Sequence, residues 1–124
     1  MNRSIVFLSF IFLGFLSIAQ VKNIKMSVYF DVDKAVLRKD AKQTLDRLAD
    51  SIKGLDIKRI VTKGNTDSDA DSLYNQALSE RRTDAVTNYL VTKKVAKSLF
   101  TKESYGELKP ITSNDSDTGK QKNR

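Results

Sequence analysis

The chain of 124 residues contains no cysteine, no histidine and no tryptophan, and it contains a single proline. Without cysteine or histidine, disulfides, thiolate nucleophiles, structural zinc sites and histidine-based catalytic triads are all excluded. Charge is plentiful, because 22 lysines and arginines face 15 aspartates and glutamates and give a net charge of +7. The length allows one domain. The residue types that remain favour recognition by charged and polar side chains over catalysis.

The N-terminus predicts an export signal. A short basic start precedes a nearly continuous apolar run from Ile5 to Leu16, and the small residues Ser17 and Ala19 follow with the spacing of a signal-peptidase site. The run is shorter than the roughly 20 apolar residues that span a bilayer. We therefore expect a cleavable signal at residues 1–19 and a domain at residues 20–124; the alternatives are a retained membrane anchor or a buried core helix.

The rest of the chain predicts the order strand, helix, strand, helix, strand. The helices follow from apolar residues at three- and four-residue steps, and the strands from β-branched and aromatic runs. Strands joined through helices are expected to be parallel, in a sheet with helices packed on it. The residues after Pro110 predict a solvated loop or a frayed tail. The predicted elements are a strand within 21–31 that ends in 26–30, a helix at 39–54, a strand at 55–61 before a turn-rich segment at 63–67, a helix from Asp71 or Ser72 to about Lys93, and a strand at 99–105.

Three alternating aspartates, Asp67, Asp69 and Asp71, suggest a calcium loop. An EF-hand requires glycine at loop position six and glutamate at position twelve, where this chain has Ser72 and Leu78. At most a nonspecific cation fits there. A hydrolase using these paired carboxylates would lack a nucleophile and an acid–base partner, so we expect a non-catalytic protein without a metal or a cofactor.

A set of ordered motifs gives the chain a recognisable pattern. The motifs are Gly64-Asn65-Thr66-Asp67, Tyr74-Asn75, Leu78-Ser79-Glu80-Arg81-Arg82, Tyr29-Phe30-Asp31, Tyr105-Gly106-Glu107, Pro110, Asn114, Gly119 and Asn123-Arg124. With these motifs the chain resembles the OmpA C-terminal-like family of peptidoglycan-binding domains over nearly all of the predicted domain. The resemblance implies an α+β fold, a β-α-β-α-β sandwich with helices packed on a mixed sheet.

The resemblance also implies a ligand, the stem peptide of peptidoglycan, which is held at a diamino acid carrying an ammonium and a carboxylate. By motif position, Asp67 would accept from the ammonium and Arg82 would bind the carboxylate through paired hydrogen bonds. Thr66, Asn75 and Arg124 match supporting positions beside the site. Without the family pattern, Asp67 and Arg82 would be interpreted as an intramolecular salt bridge or as two solvated charges.

The remaining side chains of the motif are expected to play lesser roles. Arg81 points about 100° around the helix from Arg82, so we expect it at the surface. Leu78 and Tyr74 are expected in the core or in the pocket wall.

The chain departs from the family pattern in three places. Ala70 stands where the family has glycine, so a left-handed turn there would be strained and the loop is expected to take another shape. Asn65 replaces a common histidine or tyrosine. Family members continue past Asn123-Arg124 with a further arginine, a valine and a last strand. The expectation is therefore a domain that lacks the final family strand, with an open sheet edge.

The charge, the predicted signal and the family pattern are consistent with two functions. The first is a periplasmic cell-wall binding module, associated with the outer membrane, whose partners are the peptidoglycan stem peptide and envelope proteins. The alternative is a basic envelope adaptor that binds anionic lipid, lipopolysaccharide or a protein through its lysines. Export and the lack of interleaved aromatic residues argue against nucleic acid. The adaptor surface would comprise Lys93, Lys94, Lys97 and Lys102.

Overall fold

The computed structural model describes residues 23–124, so the predicted signal at residues 1–19 lies outside the described residues. Within this range no helix is both long enough and apolar enough to cross a membrane. The elements are helix α1 (Lys39–Ile52), strand β1 (Ile60–Gly64), helix α2 (Ser72–Thr92), a short 3-10 helix (Lys97–Leu99), strand β2 (Phe100–Ser104) and helix α3 (Asp117–Asn123).

The strands β1 and β2 form a parallel pair, with Ile60 opposite Phe100 and Gly64 opposite Ser104. Helix α2 connects them and packs on both strands, as expected for a crossover between parallel strands. The close approach requires Gly64, because a Cβ atom there would lie 2.5 Å from the Ser79 carbonyl oxygen on α2. This contact sets the position of α2 relative to the loop that leaves β1.

Helix α1 buries Ala41 and Leu45, on the face predicted by its apolar period, and the chain leaves it through Gly54 at φ +77°. The helix is tied to the end of α2 by Asp46, which accepts from the Tyr89 hydroxyl at 2.9 Å and pairs with the Lys93 ammonium at 3.0 Å. The hydrogen bond from Lys93 lowers the pKa of the Asp46 carboxyl below its ordinary value of 3.8.

Helix α2 begins at the N-cap residue Asp71, whose carboxylate accepts from the Tyr74 amide at 2.9 Å. The sequence predicts a buried apolar stripe on this helix, but Leu73 is 85% exposed. The buried face carries Leu78 and Leu90 together with several polar side chains: Asn75, Ser79, Arg82, Thr83 and Thr87. A buried helix face this polar needs hydrogen-bond partners on the elements around it.

Two strand predictions require correction. No strand forms at residues 26–30. Phe30, the last residue of that segment, is buried, and its amide donates to the Arg124 carbonyl at 3.0 Å. This single hydrogen bond does not continue into a β-ladder. The second strand lies at 60–64 and not at 55–61. Residues 55–57 instead form local turns, whereas Lys63 and Gly64, predicted as a turn, pair with β2. A ladder needs a neighbouring strand, which local β-propensity does not supply.

The prediction of a solvated or frayed tail after Pro110 is wrong, because helix α3 forms there. Ser116 caps the helix by accepting from the Gly119 amide at 3.0 Å. The Asn123 side chain, 1% exposed, accepts from the amides of Ile111 at 2.7 Å and Thr112 at 3.0 Å, and it donates to the Thr112 carbonyl at 2.7 Å. The buried amide of one residue thus satisfies backbone groups about eleven positions earlier.

Candidate ligand-binding site

The candidate site is built on the loop of residues 65–71, which joins β1 to α2. Its backbone is anchored where the Thr66 amide donates to the Gly106 carbonyl at 2.8 Å. At the other end, the Asn75 side chain, 1% exposed, donates to the Ala70 carbonyl at 3.1 Å. Ala70 is not among the residues with positive φ. The loop therefore takes a shape that alanine tolerates, as predicted from the missing glycine.

Arg82 lies on the buried face of α2 and is 2% exposed. Its guanidinium donates to three backbone carbonyls: Nε to Lys34 at 2.9 Å, Nη1 to Asn65 at 3.0 Å, and Nη2 to Asp31 at 3.1 Å. It also stacks over the Phe30 ring, with its central carbon 5.1 Å from the ring centroid. Arg82 thus connects the N-terminal segment and the 65–71 loop to α2.

Burial lowers the pKa of the Arg82 guanidinium to about 10, and the negative charge of Asp67 acts in the opposite direction. The group therefore stays charged at neutral pH. A guanidinium has five N–H donors, and three of them are used here, which leaves two without an acceptor among the described residues.

Asp67 is buried, with its side chain 9% exposed, and its ion-pair partner is Arg124 and not Arg82. The Arg124 Nε donates to one carboxylate oxygen of Asp67, and the Asp69 amide donates to the other at 3.1 Å. Arg124 is itself largely buried and its Nη2 lies 3.8 Å from an Asp69 carboxylate oxygen. The structure therefore brings Asp67 together with Arg124, while Arg82 reaches the same loop through the Asn65 carbonyl.

Two side-chain oxygens of the loop, Asn65 Oδ1 and Thr66 Oγ1, are buried and have no hydrogen-bond partner among the described residues. Buried polar atoms in folded proteins are nearly always paired with protein, water or ligand. Both atoms lie on the loop that also carries Asp67.

Other predicted residues take structural positions. Leu78 is buried and Arg81 is exposed, both as predicted. Tyr74 is 38% exposed; its hydroxyl donates to the Asp33 carboxylate, and Arg81 lies over its ring at 5.6 Å. Asp71 is the N-cap residue of α2.

The lysines of the proposed adaptor surface are partly engaged in ion pairs. Lys93 pairs with Asp46, and Lys102 pairs with Asp84. Near the candidate site, Lys120 donates to Asp69 at 2.6 Å. The basic residues thus do not form a set of uncommitted cations.

Sequence reasoning missed the contribution of the N-terminal segment. Arg82 contacts the carbonyls of Asp31 and Lys34 and the Phe30 ring. The sequence pattern predicts only a strand for this segment and no contact with Arg82. The motif Tyr29-Phe30-Asp31 was the sequence signal for these contacts, because two of its residues, Phe30 and Asp31, contact Arg82. Asn65, noted only as a departure, supplies both a carbonyl to Arg82 and an unpartnered side-chain oxygen.

Known proteins are similar to this chain in sequence and in fold. Outer membrane protein A of Bordetella avium is 40% identical over 96 residues, which are 77% of this chain and 50% of that protein. Among solved structures, the peptidoglycan-associated lipoprotein from Burkholderia pseudomallei aligns with a TM-score of 0.75 and 31% identity, covering 81% of this chain and 85% of the other. The cell wall anchor of the T6SS from Pseudomonas aeruginosa aligns with a TM-score of 0.64 and 28% identity, covering 77% of this chain and 69% of that one.

The curated relatives are longer proteins, and this chain spans half or less of the length of the first three. Their whole-protein activities therefore do not extend to this chain by similarity. The matched region contains the complete candidate site, because the model of the OmpA family covers residues 29–124. Helices packed on a small parallel sheet and the ordered motifs agree with this match, and the chain belongs to the OmpA family.

Proposed function

We propose that this OmpA-family domain is a non-catalytic module that binds peptidoglycan at the diamino acid of the stem peptide. Two similar solved structures support the ligand class by their names, a peptidoglycan-associated lipoprotein and a cell wall anchor. The same relatives, with Outer membrane protein A, support a location in the periplasm at the cell wall and outer membrane. Export through a signal at residues 1–19 would deliver the chain there.

One observation carries this proposal: a buried carboxylate and a buried guanidinium lie on the same loop–helix unit, each with bonding capacity left. Arg82 retains two N–H donors, which suit the ligand carboxylate. Asp67 accepts one hydrogen bond on each oxygen. Since a carboxylate accepts about four, it can also receive the ligand ammonium. Burial strengthens such contacts relative to exposed ion pairs.

The supporting residues complete the recognition of a peptide-like ligand. Thr66 offers a buried acceptor to an N–H of the stem peptide. Asn75 holds the loop through Ala70 and so keeps Asp67 in place. Arg124 adds a second positive charge beside Asp67, which attracts the ligand carboxylate.

Co-sedimentation with purified cell-wall sacculi tests the proposal. We expect the unaltered protein and the control Asp56→Asn, an 82% exposed carboxylate elsewhere, to pellet with sacculi. Asp67→Asn removes the charge assigned to the ligand ammonium, and Arg82→Lys keeps the charge but removes the paired N–H groups assigned to the ligand carboxylate. Since charge-assisted contacts are worth about 1.5–3 kcal/mol, affinity should fall about 10- to 150-fold. Circular dichroism would establish that each variant is folded. If both site variants pellet as well as the control, the site assignment is wrong.

Competition separates this function from the adaptor alternative. A soluble stem peptide that carries a free diamino acid should release the protein from sacculi. For the adaptor, binding would instead fall steeply with salt and with Lys94→Gln or Lys97→Gln, and Asp67→Asn would leave it unchanged or tighter. The mass of the exported protein tests the signal: a product that begins at Gln20 is expected, and one that retains Arg3 would refute cleavage.

A further inference from the structure

A tight turn at residues 31–34 determines where the Arg82 guanidinium lies. The turn is closed by the Lys34 amide, which donates to the Asp31 carbonyl at 3.2 Å. Arg82 donates to both ends of it, from Nη2 to Asp31 and from Nε to Lys34. Because two N–H groups of one rigid plane reach two carbonyls of one turn, a change in the turn changes the orientation of that plane.

The apex of this turn has an unfavourable backbone conformation. Asp33 has φ +56°, in the left-handed region. A residue with a Cβ atom adopts this conformation infrequently, and the conformation persists where neighbouring contacts hold it. Among the described residues, the Asp33 side chain has one hydrogen-bond partner, the Tyr74 hydroxyl. Tyr74 lies in the first turn of α2, the helix that carries Arg82.

We infer that Tyr74 is a positioning residue for Arg82, which it orients by holding the strained 31–34 turn at Asp33. The hydrogen bond to Asp33 raises the pKa of the Tyr74 hydroxyl above its ordinary value of 10.0, so the hydroxyl is a donor at neutral pH. That Tyr74 also supports ligand affinity rests on the proposed function, because Arg82 is the residue assigned to the ligand carboxylate. Asp33 and Tyr74 themselves need no contact with the ligand.

The Arg82 Nε–H gives a readout that requires no ligand. It is buried and hydrogen-bonded to Lys34, so it should exchange slowly with solvent in nitrogen-15 NMR spectra of the protein. In Tyr74→Phe the ring remains but the hydrogen bond to Asp33 is lost. We expect roughly fivefold faster Nε–H exchange and roughly fivefold weaker binding of the diamino-acid stem peptide.

Asp33→Gly provides the decisive comparison, because glycine adopts the left-handed conformation without help from a side chain. Adding Asp33→Gly to Tyr74→Phe should restore slow Nε–H exchange and affinity. The control Arg81→Gln removes the cation over the Tyr74 ring but leaves the hydroxyl, and should change neither measurement. A purely structural contribution of Tyr74 to α2 would not be rescued by a glycine in a different segment.

Two outcomes overturn the inference: unchanged Nε–H exchange in Tyr74→Phe, or failure of Asp33→Gly to restore it. The proposed function fails in a different way. If the exchange responds as described but the unaltered protein does not bind the stem peptide, the positioning of Arg82 is supported and the ligand assignment is refuted.

Discussion

Replacing Arg82 with methionine preserves the approximate length of the side chain but removes its charge and all of its donors. Three backbone carbonyls, those of Asp31, Lys34 and Asn65, then lose the hydrogen bond from Arg82 in a region where that side chain was 2% exposed. The Asp31 carbonyl still accepts from the Lys34 amide, so two carbonyls remain unsatisfied at about 1–3 kcal/mol each. We therefore expect Arg82→Met to reduce the free energy of unfolding by about 2–6 kcal/mol.

Urea unfolding followed by circular dichroism measures this effect. A domain of this kind has a total free energy of unfolding of about 5–15 kcal/mol, so Arg82→Met removes a substantial part of it. Arg82→Lys is the matched variant, because lysine keeps the charge and can reach one of the carbonyls but lacks the planar fork. We expect Arg82→Lys to lose about half as much free energy of unfolding as Arg82→Met.

A loss below about 1 kcal/mol in Arg82→Met, with an unchanged dependence on urea concentration, would refute this reasoning. It would mean that the Lys34 and Asn65 carbonyls are satisfied by water and that Arg82 is not a structural connector. The expected result also affects binding experiments. Since Arg82→Met is partly unfolded under marginal conditions, a loss of sacculus binding in that variant would not identify a ligand contact, and Arg82→Lys is the variant suited to that question.

Three further substitutions test the packing described above. Gly64→Ala places a Cβ atom 2.5 Å from the Ser79 carbonyl oxygen, so the urea midpoint should fall by an amount equivalent to about 1–3 kcal/mol; an unchanged midpoint would contradict the close approach of β1 and α2. Asn123→Ala removes the acceptor for the Ile111 and Thr112 amides, and hydrogen exchange of those amides should accelerate while exchange in α1 does not. Asp46→Asn should be less stable than the unaltered protein at neutral pH. The difference should narrow as pH falls below 3.8, because a carboxyl with a lowered pKa contributes stability above that value and loses it on protonation; a difference independent of pH would refute the ion-pair role.

The sequence predicted the elements whose signals are local. The apolar period predicts the ends of α1 and α2 to within two residues. The alternating pattern that ends before Gly106 predicts the ends of β2 to within one residue. The parallel pairing of β1 with β2 follows from the helix between them. In each case the decisive information lies within the element or in its immediate connection.

The incorrect predictions concern structure that depends on distant partners. Residues 26–30 have a strand-like composition but find no ladder among the described residues. Helix α3 arises from a polar, glycine-containing stretch because Ser116 caps it and Asn123 satisfies the preceding backbone. Neither interaction has a periodic signature, since a single side chain provides each one. Composition alone therefore predicts a strand at residues 26–30, where none forms, and misses helix α3.

The sequence motif predicts candidate site residues but not the hydrogen bonds that they form. The motif identified Asp67 and Arg82, and both are buried beside one loop. It gave no indication that Arg82 donates to backbone carbonyls or that Arg124 is the partner of Asp67. A carbonyl is present at every position, so no residue type marks the ones that bind an arginine.

The distribution of polar groups explains why this site and the fold depend on the same side chains. The buried apolar residues are few among the described positions: Phe30, Ala41, Leu45, Leu78 and Leu90. Asp67, Asn75 and Arg82 are buried in the same part of the fold, and their hydrogen bonds hold the 65–71 loop and the 31–34 turn against α2. Under the proposed function, a ligand would bind side chains that the fold already orders, and little of its binding energy would be lost in fixing them. Any substitution that frees Arg82, including one at Tyr74, is then expected to weaken recognition without a direct contact to the ligand.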